Sequence, residues 1–565
     1  MPAPVAAELD AFLGELSERA RAVDAADPRA ATFEGPGLGN WGRAYRGAQI
    51  DRLTRDWIPY HRSGDDAIRG SWWLLTARIR DLLRNDPVIV ASQRALVKHV
   101  IGGGIGSFAA VRLSRSELMD EFNDESDDLF QEWCEEDADA EGKLSWSEMQ
   151  RILFMETAGV GECLLVKRFD PNPKRIIPLC YQLVESEQLD YSKDQPAGPN
   201  QNKIVRGVEV DKDNRPVGYW LFEANPYDSY AGFDRHSSFV PASRVIHMYM
   251  PDRPGQTRGI SWYATIMQSL RDLDWYVGNE LTAAAIGALL TVFIGREDQT
   301  GQGTGFTGPS GESATADEHG NPLMRLGRGT VCSGRPGDKF EVIESSRPNR
   351  DAKPFIDLIQ GLCGMGVGMS RLRLTGDYSQ SSYTSARGAH LDDQAHFRVL
   401  QNFFGRQGPA RVRRDFTEEC ALAGRFTTVS RKQYFAQQRR FNRITLQYPG
   451  REQLDPEMET LGSALRIYFG VSTQEAEAAA RGLHWRHVVL QQQREQKFRA
   501  DHDVQIDYAI SKGGSRPTQT GGDGSTSADG RPGKSRNAGS GDDGSALLSR
   551  FADLLETRAR EREAA

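Results

Sequence analysis

Cysteine is scarce and scattered, with six residues among 565 at Cys134, Cys163, Cys180, Cys332, Cys363 and Cys420, no C-x-x-C and no paired spacing. A zinc ribbon and a disulfide framework are thereby excluded. A surplus of basic charge is missing too: 70 Lys and Arg face 78 Asp and Glu, for a net charge of −8, so a protein that grips nucleic acid by wholesale counterion release is not expected. A conduit past which a polyanion slides stays compatible, because strong phosphate contacts would brake it. Long apolar runs are nearly absent. The one candidate, 281–294, is charge-free but reaches only about 21 Å as a helix, short of the roughly 30 Å hydrocarbon layer of a bilayer, so a buried helix is predicted and no membrane is implied. Residues 1–10 lack the basic start and apolar core of a signal peptide, and a reducing cytoplasm is the expected compartment.

Catalytic signatures are absent as well. The ten histidines include no H-E-x-x-H, and no serine sits in a G-x-S-x-G elbow. Four motifs offer other chemistry. Asp137-Ala138-Asp139-Ala140-Glu141-Gly142-Lys143-Leu144-Ser145-Trp146-Ser147-Glu148 has the acidic positions, the glycine and the terminal glutamate of an EF-hand loop. It departs by its longer Glu141 and by having no second copy, so it reads either as a structural turn or as a calcium loop of a cytosolic scaffold. Ala528-Asp529-Gly530-Arg531-Pro532-Gly533-Lys534-Ser535 matches a permissive Walker A string but lacks the strand and helix that make such a loop bind phosphate. A packaging nuclease or ATPase would need that context plus a carboxylate cluster. Gly301-Gln302-Gly303-Thr304-Gly305 has no strand-to-helix transition around it, and Glu162 after Gly161 reads as a structural residue at a strand edge. No cofactor and no metal are implied.

Patterning predicts an α+β chain. Residues 1–40 form an arm with a short helix at 5–23. Helical spacing follows from 71 to 100, then helices at 124–135 and 145–157, a strand at 159–169, and alternating strands from 175 to 250. Ser261 is placed to cap a long helix whose Trp262, Ile266, Leu270, Leu273, Val277 and Leu281 recur at helical spacing. Extended through Ile286 to Leu290 it would measure about 45 Å. A Gly/Ser/Thr-rich stretch at 297–321 separates it from a second helix through Phe355, Leu358, Ile359 and Leu362, capped by Asn349 or Asp351. A further helix is expected from Ser385 to Phe404, broken or kinked at Gly405, Gly408 and Pro409. Residues 511–546 are too poor in apolar side chains to offset chain entropy; 547–561 resumes helical spacing.

Two segments carry a family resemblance. Arg253-Pro254-Gly255-Gln256-Thr257-Arg258-Gly259-Ile260-Ser261, and Thr375-Gly376-Asp377-Tyr378-Ser379-Gln380-Ser381-Ser382-Tyr383-Thr384-Ser385-Ala386-Arg387, resemble the bacteriophage portal proteins of the lambda family, in which "RPGQ.RG" and "D-Y-S-x-x-x-Y-[ST]-S-A-R" precede helices. Weaker matches at Arg78–Gly104 and Leu454–Glu495 lie in the same order.

The resemblance implies a portal fold: an N-terminal arm (1–40), an α/β wing (41–258), stem helices (259–292 and 350–366) around a small mixed α/β clip (293–349), a tunnel loop with a long helix (367–424), and a helical crown (425–510). A linker at 511–546 and a helix at 547–565 follow. It further implies a homo-oligomer, twelve-fold in that family, at a capsid vertex of the virion, assembled in the host cytoplasm. Its partners would be the double-stranded DNA passing through it, the terminase large subunit, a head-completion or adaptor protein, and the major capsid or scaffold protein. The tunnel loop would be Asp377, Tyr378, Ser379, Gln380, Ser381, Ser382 and Tyr383. From the residues alone, the same segment reads first as a turn whose hydroxyls cap the next helix, and it is the resemblance that turns it into a channel loop. The apolar face from Trp262 to Leu290 would be the subunit interface, and no enzyme activity is expected.

Overall fold

The computed structural model describes residues 61–114, 117–229, 236–289, 352–379, 381–453 and 455–502, plus the strand pieces 293–295, 315–316, 322–323 and 339–341, with backbone alone for those pieces and for 286–289. From Ser63 onward they belong to one compact unit. The arm, most of the clip, the cap at 349–351, Gln380, Leu290, the side chain of Ile286 and everything beyond 502 lie outside the described residues.

Helices α1 (Gly64–Arg69), α2 (Trp72–Asn85) and α3 (Pro87–Val100) open the fold. Asp86 starts α3, accepting the N–H groups of Val88 and Ile89 at 2.8 and 2.9 Å ahead of Pro87 in the first turn. Strand β1 (Gly106–Ala109) precedes α4 (Asp120–Glu136) and α5 (Trp146–Gly159), the latter entered by a Ser145/Glu148 capping box. Strands β2 (Glu162–Phe169), β3 (Leu179–Val184), β4 (Lys203–Val205), β5 (Val208–Val210), β6 (Pro216–Phe222), β7 (Ser237–Pro241) and β8 (Val245–Tyr249) then make two antiparallel sheets. One has the order β3-β2-β8, and the other is the meander β4-β5-β6-β7. Both faces of β2 are covered, which is why Cys163, Leu164, Leu165 and Val166 run without a polar break.

Helix α6 (Met267–Leu289) leads away from the sheets, and α7 (Ala352–Val367) packs back against it, with the rings of Tyr276 and Phe355 4.8 Å apart. Between them β9 (Phe293–Gly295) pairs antiparallel with β12 (Lys339–Glu341), and β10 (Thr315–Ala316) with β11 (Pro322–Leu323). A short α8 (Arg371–Thr375), α9 (Tyr383–Gln407) and α10 (Pro409–Ala423) return to the body. The chain ends its described course in α11 (Arg431–Ala436), α12 (Gln438–Phe441), β13 (Ile444–Gln447), which pairs with β1, then α13 (Pro456–Tyr468), α14 (Gln474–Ala480) and α15 (Trp485–Asp501). The main core gathers Trp133, Leu153, Phe154, Phe404 and Phe416 from four helices, and Leu164, Val166, Val208 and Tyr219 fill the space between the sheets.

Three expectations are corrected. Ser261 does not cap the long helix. The Trp262 N–H is held by the Ala158 carbonyl at 3.2 Å, and the Ser261 hydroxyl accepts from Tyr263 two residues on, so 262–266 run as tight turns and α6 begins at Met267. At 23 residues it is about 34 Å long instead of 45. Helix α9 begins at Tyr383, two residues early, and continues past Gly405 to Gln407; the break comes at Gly408. Glu162, lastly, lies at the end of the central strand of its sheet, not on an edge. No helix among the described residues is long and apolar enough to cross a membrane.

Candidate functional site

The turn at 253–259 owes its shape to side chains that bond its own backbone. Gln256 accepts the N–H groups of Asp252 and Arg253 and donates to the Arg258 carbonyl at 2.8 Å; Gly255 supplies a positive φ of 77°. Thr257 gives its N–H and hydroxyl to one oxygen of Asp65, at 2.8 and 3.0 Å. Arg258 is buried among acceptors: Nε donates to Glu162 Oε1 at 2.7 Å, Nη1 to the Arg206 carbonyl at 2.7 Å, and Nη2 to the Ser186 carbonyl and hydroxyl at 3.3 Å, with its face 4.9 Å from the Trp72 ring.

Glu162 is just as buried and receives in addition the Gly259 N–H at 2.8 Å, the Ser186 hydroxyl at 2.5 Å and a His247 Nε2 contact at 3.0 Å. Burial opposes its ionisation, yet Arg258 and His247 hold the carboxyl well below its usual range. A side chain on Gly259 would meet the Gly161 carbonyl at 2.1 Å, so this junction of turn and strand admits no Cβ. Arg258 and Gly259 thus brace the entry to α6, and Glu162 is their counterpart. That pairing spans 96 positions, and no spacing rule marks it.

The second motif follows Gly376, which ends α8 in a left-handed conformation with φ 68° and returns its N–H to Leu372 at 2.9 Å. Asp377 then accepts the Ser379 N–H at 3.0 Å; the Ser379 hydroxyl, then this N–H, hold its carboxyl below the ordinary value, and the Ser381 hydroxyl donates to the Tyr378 carbonyl. Ser382 caps α9 by accepting the Ser385 N–H at 3.2 Å. Tyr378, Ser379 and Tyr383 are exposed and Ser381 is half-buried; within α9, Ala386 is half-buried and Arg387 exposed. The capping reading is therefore met by Ser382, while the two tyrosines take no part in it and point to solvent-accessible space.

Behind this loop lies a cleft of about 120 Å³ whose wall includes Arg373, Tyr378, Ala386, His390, Asp393 and Glu452. Arg373 is its hub, within 2.9 Å of Glu452, 2.5 Å of His390 and 3.2 Å of His99. Sequence reasoning missed this clasp, since its members come from four separate elements. Asp393 accepts both the N–H and the hydroxyl of Ser370 at 2.7 Å and ties α8 to α9.

The apolar face assigned to a subunit interface divides in two. Ile266, Leu270 and Leu273 are buried inside this chain's own core and present nothing to a neighbour, while Trp262 is half-buried and packs edge-on to Phe154. Val277 is half-buried. Beyond it the character changes: Trp275 is 72% exposed and Leu281 68% on α6, and Leu358 60% and Met365 70% on α7.

In the 137–148 loop the carboxylates bond backbone groups, as a structural turn requires. Asp139 accepts the N–H groups of Glu141, Lys143 and Leu144, Asp137 that of Ile176, and Glu148 the N–H and hydroxyl of Ser145. The loop is a turn closed by its own amides.

Residues 51–401 match the family described as "Phage portal protein, lambda family". The chain is 24% identical over 474 residues to the "Portal protein" of Escherichia phage N15, covering 78% of this chain and 87% of that one. It is also 24% identical over 487 residues to "Portal protein B" of Escherichia phage lambda, covering 80% and 88%. Among solved structures, similarity extends to a chain described as "Virion of native gene transfer agent (GTA) particle" at 13% identity and TM-score 0.39, covering 76% of this chain and 98% of that one. A second, "Neck of native GTA particle computed with C12 symmetry", stands at 12% and 0.38, covering 72% and 93%. With a family match over well more than half of its length, and with both motifs placed at helix entries, this chain belongs to the lambda family of phage portal proteins.

Proposed function

We propose that the chain is one subunit of a closed ring, twelve-fold as in the family, which sits at one capsid vertex, passes double-stranded DNA during packaging and ejection, and docks terminase and then a head-completion protein. In this reading 41–258 is the wing, 259–292 and 350–366 the stem, 293–349 the clip, 367–424 the tunnel loop with its helix and 425–510 the crown. The protein resides in the virion after assembly in the host cytoplasm. Its work is positional, and ATP hydrolysis belongs to the separate motor.

One observation supports the ring most directly. Helices α6 and α7 pack on each other yet leave Trp275, Leu281, Leu358 and Met365 largely in water. Large apolar side chains left in water on paired helices suit an association surface, and head-to-tail contacts that close through rotation make rings. The loop around Tyr378 and Tyr383 suits a sliding polyanion, because aromatic faces and hydroxyls touch bases and backbone without strong charge. Electron microscopy of the purified protein tests the reading: rings are expected, and a monodisperse monomer at micromolar concentration would refute it.

A further inference from the structure

Residues 420–451 hold seven Arg or Lys and no Asp or Glu, inside a chain whose net charge is −8. The fold gathers much of this surplus into one lobe made of α11, α12 and the start of β13. Tyr434 and Phe441 anchor it from within, their rings 5.9 Å apart, and the Arg440 guanidinium straps it to the Arg112 carbonyl at 3.0 and 2.9 Å. Arg431, Lys432, Arg439 and Arg443 are exposed, and among the described residues no ion pair engages them. The carboxylate that the lobe does meet, Glu125, is consumed by the N–H and hydroxyl groups of Thr427 and Thr428 at 2.5–3.1 Å. Glu418 acts on the buried Tyr434.

Four such cations on one small lobe offer a polyanion a surface. A protein partner would also demand an apolar centre, but the only large apolar side chain exposed across 425–451 is Phe435, at 40%. Exposed Gln433 and half-buried Gln438 add amide donors of the kind that contact phosphate and sugar without reading bases. We propose that this lobe is a sequence-independent docking surface for the phosphate backbone of duplex DNA, separate from the 376–384 loop.

The test uses the full-length protein and a covalently closed circular duplex, which has no end to thread through a ring. Binding is measured from 50 to 200 mM salt for the wild type and for R431Q/K432Q/R439Q/R443Q. The variant should bind more weakly, with a salt slope shallower by about 0.9 for each phosphate it no longer neutralises. A second variant, R439K/R443K, keeps the charge and should retain affinity. Unchanged affinity and slope in the first variant, or weakened binding in the second, would overturn the proposal. Poly-glutamate binding that the first variant abolishes while DNA binding persists would also overturn it, by assigning the lobe to an acidic protein. Mass measurement of each preparation keeps the two readings apart, since absence of rings counts against the portal role while DNA binding is still read on whatever species forms.

Discussion

Arg258 brings a full positive charge into a place without water, where Glu162, Ser186 and the Arg206 carbonyl take up its donors. Removing one partner of such a buried pair leaves the other uncompensated, at about 3–5 kcal/mol. Glu162→Gln is therefore expected to lower the unfolding free energy by an amount in that range, and Arg258→Met similarly. The double variant should cost clearly less than the two added together, because each single change already breaks the same ion pair. Denaturant unfolding of the three proteins checks this, and strict additivity would mean that the pair is not coupled. At this scale the sequence was half legible. The turn motif exposed Arg258 and Gly259, and their neighbour Gly161 drew notice to Glu162, whose structural role was read correctly and whose place in the sheet was not, because strand order is a tertiary fact. The hub of Arg373 with His99, His390 and Glu452 left no trace in spacing at all, for its members stand 17 to 274 positions from the arginine.

Elements were read more fully than their ends. Helices α4 and α5 and the strands from 162 to 249 fall where periodicity put them, since each buries a face wide enough to leave a pattern; the returning α7 falls there too, although its Phe355, Leu358 and Leu362 stand exposed. The start of α6 was missed because a distant carbonyl, Ala158, fixes the Trp262 amide, a bond that outweighs local capping preference. That shift matters for the interface. With Ile266, Leu270 and Leu273 absorbed into the core, the proposed association surface falls to exposed residues such as Leu281 and Leu358. The variant Leu281→Lys/Leu358→Lys should fold with a near-wild-type melting temperature, because both sites are exposed, and yet fail to form rings by native mass spectrometry. Rings of normal mass would remove the helix pair from the interface. For the loop, Ser382 must be spared in any test because it caps α9. Replacing Tyr378 and Tyr383 by Ala should leave assembly intact and shorten or destabilise the packaged DNA; unaltered packaging would return the tyrosines to an idle surface.

At the scale of the whole molecule, the described C-terminal helices are joined to the body through groups that titrate. The chain leaving β13 carries Glu452 to Arg373 and to Lys98 at 2.9 and 2.8 Å, while His99 faces that same carboxylate, stacks 5.0 Å from Phe397 and feels Arg373, Lys98 and His390. Farther on, His484 stacks on Phe108 of β1 at 4.1 Å with His487 beside it. Burial, then the charge of Arg373, pushes His99 down to about 4; burial, then His487, does the same to His484. Glu452 reaches about 2, since Lys98 and Arg373 outweigh the burial that opposes them. The signs agree. A histidine kept neutral in the fold but protonated near 6.5 when unfolded contributes stability that is complete above 6.5 and lost as pH falls towards 4. The Glu452 contribution is present above 4.5 and lost as pH falls through 2. Asp127 works the other way, because burial raises it to about 6 despite the Arg413 guanidinium at 2.5 Å, so its protonation favours the fold in mild acid. His396, lowered by burial, acts with these two histidines, while Asp124, Glu156 and Glu419, raised by burial, act with Asp127. The His99 share is read by difference: between pH 6.5 and 4 the melting temperature of His99→Gln, which keeps a hydrogen-bonding side chain but cannot take the proton, should change less unfavourably than that of the wild type, whatever its value at neutral pH. Parallel curves for the two proteins would show that the His99 clasp does not govern the acid response, and would leave His484 and its seat on Phe108 as the group to change next.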